Sequence, residues 1–166
     1  MPELTQKERL QPSLLDRLTD DDPTQQLESR TSRVLSMKKL REAVRRDLSY
    51  LLNTCNFEST EDLEGYDHVA SSVMNFGVRE LSGTHVIGIS SSEIEEMVRT
   101  AIIRFEPRIL PDTLTVEVRK SDEMNNRALS FDIEGKLWAQ PQPTRLFLRT
   151  ELDLESGDII INDLGV

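Results

Sequence analysis

The 166-residue chain, with 37% apolar and 30% charged side chains, has the size and composition of one folded, water-soluble domain that needs no cross-links to hold a core. Thirty acidic residues against twenty basic ones give a formal net charge of −10, which argues against nucleic-acid backbones and anionic membrane surfaces as the main partner. The single cysteine, Cys55, precludes an internal disulfide and suits a reducing compartment. The first twenty residues lack the apolar centre of a signal peptide, and no stretch approaches the roughly 18 apolar residues of a membrane span. These features read as a cytoplasmic protein without direct membrane insertion.

In chain order, QPSLLDRLTDDD at 11–22 holds a short apolar cluster, Leu14, Leu15 and Leu18, able to form a helical turn or two before Asp20–Asp22 and Pro23 stop it. A polar linker, DPTQQLESRTSR, follows. Such a tethered cluster either docks on its own domain or serves as a peptide for a partner. From about Leu35 to Leu52, Leu40, Ala43, Val44, Leu48, Leu51 and Leu52 fall on one stripe at helical spacing. Lys38, Arg41 and Arg45 share another face, with Lys39 and Arg46 beside them. This basic face pairs with nearby acids or forms a partner-binding strip. A loop-rich middle with Gly65, Gly77 and Gly83 predicts one short helix at Val69–Met74. A second long helix starts at an N-cap of Ser91 or Ser92, carries Glu93, Glu95 and Glu96 in its first turn, and buries Ile94, Val98, Ala101, Ile102 and Phe105.

After this helix the apolar period changes from 3.6 to 2. Leu114–Val118, Leu129–Ile133 and Leu146–Leu154 alternate apolar with polar residues, with Phe147 out of step, and Ile159–Ile161 follows an ESGD turn. The expected fold is α+β, with N-terminal helices packed on an antiparallel sheet of about four strands. Residues 1–33 read as an arm and polar linker, and residues 34–166 as one domain.

Catalytic chemistry finds little support. GISSS at 88–92 is not a nucleophile elbow, and its serines suit a helix cap. Cys55, His68 and His85 match no metal-ligand spacing, and no phosphate cradle or dinucleotide fingerprint is present. Glycoside hydrolysis needs two carboxylates facing across a cleft, and sugar clefts usually offer aromatic platforms. Aromatics are only 5% of the chain. Trp138 and Tyr66 are the two candidate platforms, and each has a packing explanation. No catalytic residue, metal, cofactor or small-molecule substrate is therefore assigned.

The helix-to-strand junction, RFEPRILPD at 104–112, is more informative. Pro107 lacks an N–H and pushes Glu106 out of the helical region, so the helix ends near Phe105. Glu106 and Arg108 then leave a rigid corner. They either pair locally or are pre-organised for directed contacts with a partner. In the second case, exchanging the two charges leaves the fold intact and abolishes assembly.

Three segments, QPSLLDRLTDD, SVMNFGVRELSG and AIIRFEPRI, together resemble the TssE family of type VI secretion baseplate subunits. That family belongs to the lysozyme-like group named after a baseplate wedge protein of contractile-tail phages. Its characteristic Glu-Pro-Arg motif falls on Glu106, Pro107 and Arg108. Arg79 stands where many members have proline. The resemblance implies a non-enzymatic subunit that contacts other wedge proteins and contractile sheath subunits and helps sheath polymerisation to begin, with a fold similar to a domain of the sheath subunits, which link by exchanging strands; an antiparallel sheet with edges offers unpaired backbone groups for added strands. Glu106, Pro107, Arg108, Leu14, Leu15 and Leu18 are the partner-binding candidates. The alternative is a peptidoglycan hydrolase, although the "lysozyme-like" label by itself confers no activity.

Overall fold

The computed structural model describes residues 13–19, 37–80, 90–119, 128–138 and 143–164. Leu35, Gly83, His85 and the whole of the linker fall outside them.

The apolar stripe of the first long helix produces α2, Met37–Leu52, which buries Leu40, Ala43, Val44, Leu48, Leu51 and Leu52 as the spacing predicts. Ahead of it, among the described residues, lies a short helix, α1, Leu14–Leu18. The predicted Val69–Met74 helix is instead two separate turns, α3 at Asp67–Ala70 and a 3-10 turn at Val73–Asn75. The break comes from Ser72, whose hydroxyl accepts the Met74 N–H and restarts the chain in a tighter turn. The second long helix, α4, spans Ser91–Phe105. Its N-cap is Ser90, not Ser91 or Ser92. The reason is reciprocal geometry: the Ser90 hydroxyl accepts from Glu93 N–H at 3.2 Å, and the Glu93 carboxylate accepts from Ser90 N–H at 2.7 Å.

Four strands follow as a meander: β1 Thr115–Arg119, β2 Ala128–Leu137, β3 Thr144–Asp153 and β4 Ile159–Asp163. All neighbours are antiparallel and the spatial order equals the chain order. The fold is α+β, as expected. The period-2 pattern places Val116, Phe131, Ile133, Leu146, Leu148, Leu152, Ile159 and Ile161 in the core, where they meet Val44, Leu48, Val98 and Ile102 of the helices. Each such side chain contributes about 1.5–3 kcal/mol of burial. Packing is divided: α4 lies chiefly over β1 and α2 over β4.

One glycine is dictated by close approach. Gly77 has φ +125°, and a Cβ there would fall 2.2 Å from the carbonyl oxygen of Thr54. The absence of a side chain lets Val78 N–H reach Thr54 O at 2.9 Å and lets Asn56 N–H reach Val78 O at 3.0 Å. The middle segment is thereby stitched to the end of α2.

Candidate interaction site

Pro107 ends α4 as predicted. Glu106 is the C-cap, outside helical geometry at φ −122° and ψ 77°, and its N–H still reaches Ile102 O at 2.8 Å. A tight turn then returns Ile109 N–H to Glu106 O, and the chain pairs with the end of β2 through Leu110 N–H to Lys136 O at 2.9 Å and Trp138 N–H to Arg108 O at 2.7 Å. The corner is therefore sewn to the sheet on its far side.

The two charges of this corner turn inward. Glu106 is only 3% exposed. Its carboxylate accepts from Arg108 N–H at 3.1 Å and Arg108 Nε at 2.6 Å, and also from Nη2. Nη2 donates as well to Asp47 of α2 at 2.6 Å. The local pairing is thus realised, with a third member that inspection of the junction missed. Asp47 follows the basic run Arg45–Arg46, and sequence alone offered no way to pair it with a residue 61 positions away. Arg46 extends the network: it donates to Asp47 at 2.9 and 2.8 Å and to Asp16 of α1 at 2.6 Å. Asp16, Arg46, Asp47, Arg108 and Glu106 form one alternating chain of charge from the arm to the corner.

Burial opposes the charge of Arg108, but the Glu106 carboxylate and then Asp47 outweigh it and raise its pKa. Burial likewise opposes ionisation of Asp16, yet hydrogen bonds from Arg46 and Ser13 prevail and lower its pKa. The bond to Asp16 leads the causes that raise the pKa of Arg46. One polar atom in the network is unsatisfied: Arg108 Nη1 is buried without an acceptor.

Leu15 borders a groove of about 560 Å³ between α1, α2 and the corner, whose walls include Leu51, Phe76, Phe105 and Pro107. Phe76 and Phe105 meet edge to face with centroids 5.3 Å apart. Leu14, Leu15 and Leu18 are all exposed. The arm helix is therefore held to the body by its acid, with Leu14 and Leu18 largely in solvent and Leu15 half exposed at the edge of the groove. Arm and corner, two separate candidates in the sequence, meet here.

The basic face of α2 is engaged in pairing. Arg41 grips Asp163 through two nitrogens at 3.1 and 2.6 Å, and Lys38 lies 3.9 Å from Glu42. Some backbone groups at the sheet edges also have side-chain partners. On β4, the Asn53 side chain donates to Ile159 O at 2.9 Å and accepts Ile159 N–H at 2.8 Å, while Arg45 reaches Ile161 O at 3.4 Å. On β1, Glu95 accepts Val118 N–H at 2.8 Å. Polar side chains of α2, of Asn53 just after it and of α4 thus occupy some of the backbone groups that an added strand would use.

The packing explanation for Trp138 and Tyr66 does not hold, since both are exposed, Tyr66 just before α3 and Trp138 just after β2. Among the described residues no group of three or more His, Cys, Asp or Glu could hold a metal ion, and no helix is long and apolar enough to cross a membrane.

The model of the family described as "baseplate wedge protein gp25" matches residues 38–142, more than half of the chain. The match takes in α2, the turns between Phe57 and Asn75, the Glu106–Arg108 corner and β2. No curated protein and no solved structure matches. With the Glu-Pro-Arg corner inside the matched span, the chain belongs to the gp25 family of baseplate wedge proteins.

Proposed function

We propose that this chain is a non-enzymatic, cytoplasmic subunit of a type VI secretion baseplate, which contacts other wedge subunits and helps the contractile sheath to begin polymerising. The observation that carries the reading is the family match, which supports a structural role in a baseplate. The corner suits such work mechanically. Pro107, Glu106 and the bond from Trp138 fix Arg108 in one pose, so a partner meets a pre-organised surface instead of a flexible loop.

In this reading the partner-facing residues are Pro107 and Arg108, with Glu106 as the buried residue that positions them, and Leu14, Leu15 and Leu18 on an arm beside the groove. Residues 1–33 act as the arm and 34–166 as the assembly domain. The test is complementation of a strain lacking the chain, with fluorescent sheath subunits as the readout. Wild type restores sheath assembly, and a chain lacking residues 1–30 folds but restores little. Full sheath assembly without this chain overturns the reading, as does peptidoglycan hydrolysis by the purified protein that one Glu or Asp replacement removes.

A further inference from the structure

Between α2 and α4, three short turns are mounted on one side chain. Asn75 is 1% exposed. Its Oδ1 accepts Glu58 N–H at 2.9 Å from the 3-10 turn at Phe57–Ser59, and its Nδ2 donates to Ala70 O at 3.0 Å at the end of α3. Arg104 of α4 donates to the same carbonyl at 2.7 Å. A buried amide of this kind fixes backbone positions that no apolar core holds. The mount displays large apolar side chains to water: Val73 is 82% and Met74 66% exposed, and Phe57 and Tyr66 are exposed as well. Single exposed apolar residues are ordinary; several on one rigid platform mark a contact surface.

The stretch from Phe57 to Asp67 carries charge of one sign. Residues 57–67, FESTEDLEGYD, carry Glu58, Glu61, Asp62, Glu64 and Asp67 and no lysine or arginine. All five acids are exposed. An apolar knob carried with an acidic run is complementary to an apolar pocket bordered by cations, where desolvated apolar contacts give affinity and the accompanying charge gives orientation and speed.

We infer that Val73 and Met74 form a knob, mounted on Asn75 in the same set of turns as the acidic run at 58–67, that seats in an apolar pocket bordered by Lys and Arg on another wedge subunit. This rests on the assembly reading above and adds a second contact surface, carried by the 57–75 turns and separate from the Glu106–Arg108 network.

The test uses full-length protein and, as probe, the purified wedge subcomplex of the same apparatus lacking this subunit, with affinity measured by calorimetry at several salt concentrations. Val73→Ser with Met74→Ser is expected to weaken binding at least tenfold while leaving the melting temperature unchanged, because neither side chain is buried. Glu61→Gln, Asp62→Asn and Glu64→Gln together are expected to weaken binding and flatten its dependence on salt. Wild-type affinity in the serine variant overturns the proposal and leaves the assembly reading standing. Unchanged salt dependence in the amide variant overturns the cationic partner. Failure of the wild type to bind the subcomplex overturns the assembly reading itself. A wild-type dimer in sedimentation that the serine variant abolishes assigns the knob to a second copy and overturns the proposal.

Discussion

The Glu106–Arg108 corner and the turns around Asn75 distribute their side chains in opposite senses. At the corner a glutamate lies 3% exposed inside a network, with Arg108 gripped between it and Asp47. At the turns a valine and a methionine stand in solvent while the amide beneath them is buried. Residue type alone would have placed all of these the other way round. In both places a buried polar group fixes the backbone, and the side chains beside it go where the backbone sends them. The difference lies in what is left over: the corner is nearly self-satisfied, whereas the turns leave apolar surface unmatched.

The strongest way to break the comparison is at the corner. Exchanging its charges, Glu106→Arg with Arg108→Glu, sets the new glutamate against Asp47 and leaves Arg46 as the nearest compensation. The earlier expectation that this exchange folds normally therefore changes. Breaking a buried pair costs about 3–5 kcal/mol. Chemical denaturation of the exchanged variant, and of Arg108→Ala, should show losses of that order, reduced somewhat in the alanine variant because the Arg108 side chain is 22% exposed.

The turns are broken next. Asn75→Ala removes the acceptor of Glu58 N–H and the donor to Ala70 O, and should cost about 1–3 kcal/mol. Hydrogen exchange should rise at residues 57–75 while the sheet stays protected. Loss of protection throughout the sheet would mean that these turns belong to the central core.

A smaller effect tests the arm that reaches toward the corner. Asp16 has its pKa lowered below the ordinary value of 3.8, so its bond to Arg46 is fully present above that value and is lost as pH falls through the lower folded-state pKa. Leucine methyl shifts of Leu14, Leu15 and Leu18 should therefore change only on acidification below about pH 4. Asp16→Asn should produce the same change at neutral pH, with a global stability loss under about 1 kcal/mol because Arg46 is partly exposed. The smallest effect sharpens the contrast: Val73→Ser with Met74→Ser should alter stability by no more than about 0.5 kcal/mol, measured by denaturant midpoint.

Much of the fold was legible because its signals are local. The stripe from Leu40 to Leu52, the change of period after Pro107 and the tight turn before Ile159 each report a nearest-neighbour regularity, and α2, the end of α4 and the meander follow from them. The N-cap was misplaced by one or two residues because three consecutive serines and three later glutamates allow several registers; only the reciprocal bonds between Ser90 and Glu93 select one.

The sequence by itself determined that a proline-fixed corner with two charges would stand where helix gives way to strand, since the ring of Pro107 acts on its immediate neighbours. Only the tertiary structure decided which way those charges face, because Asp47, itself bonded by Arg46, reaches Arg108 across the packing of α2 against α4. The same holds for Asn75, Asn53 and Glu95, whose polar groups meet backbone atoms distant in the chain. Such bonds carry no periodicity. They exist only once the core has brought the elements together.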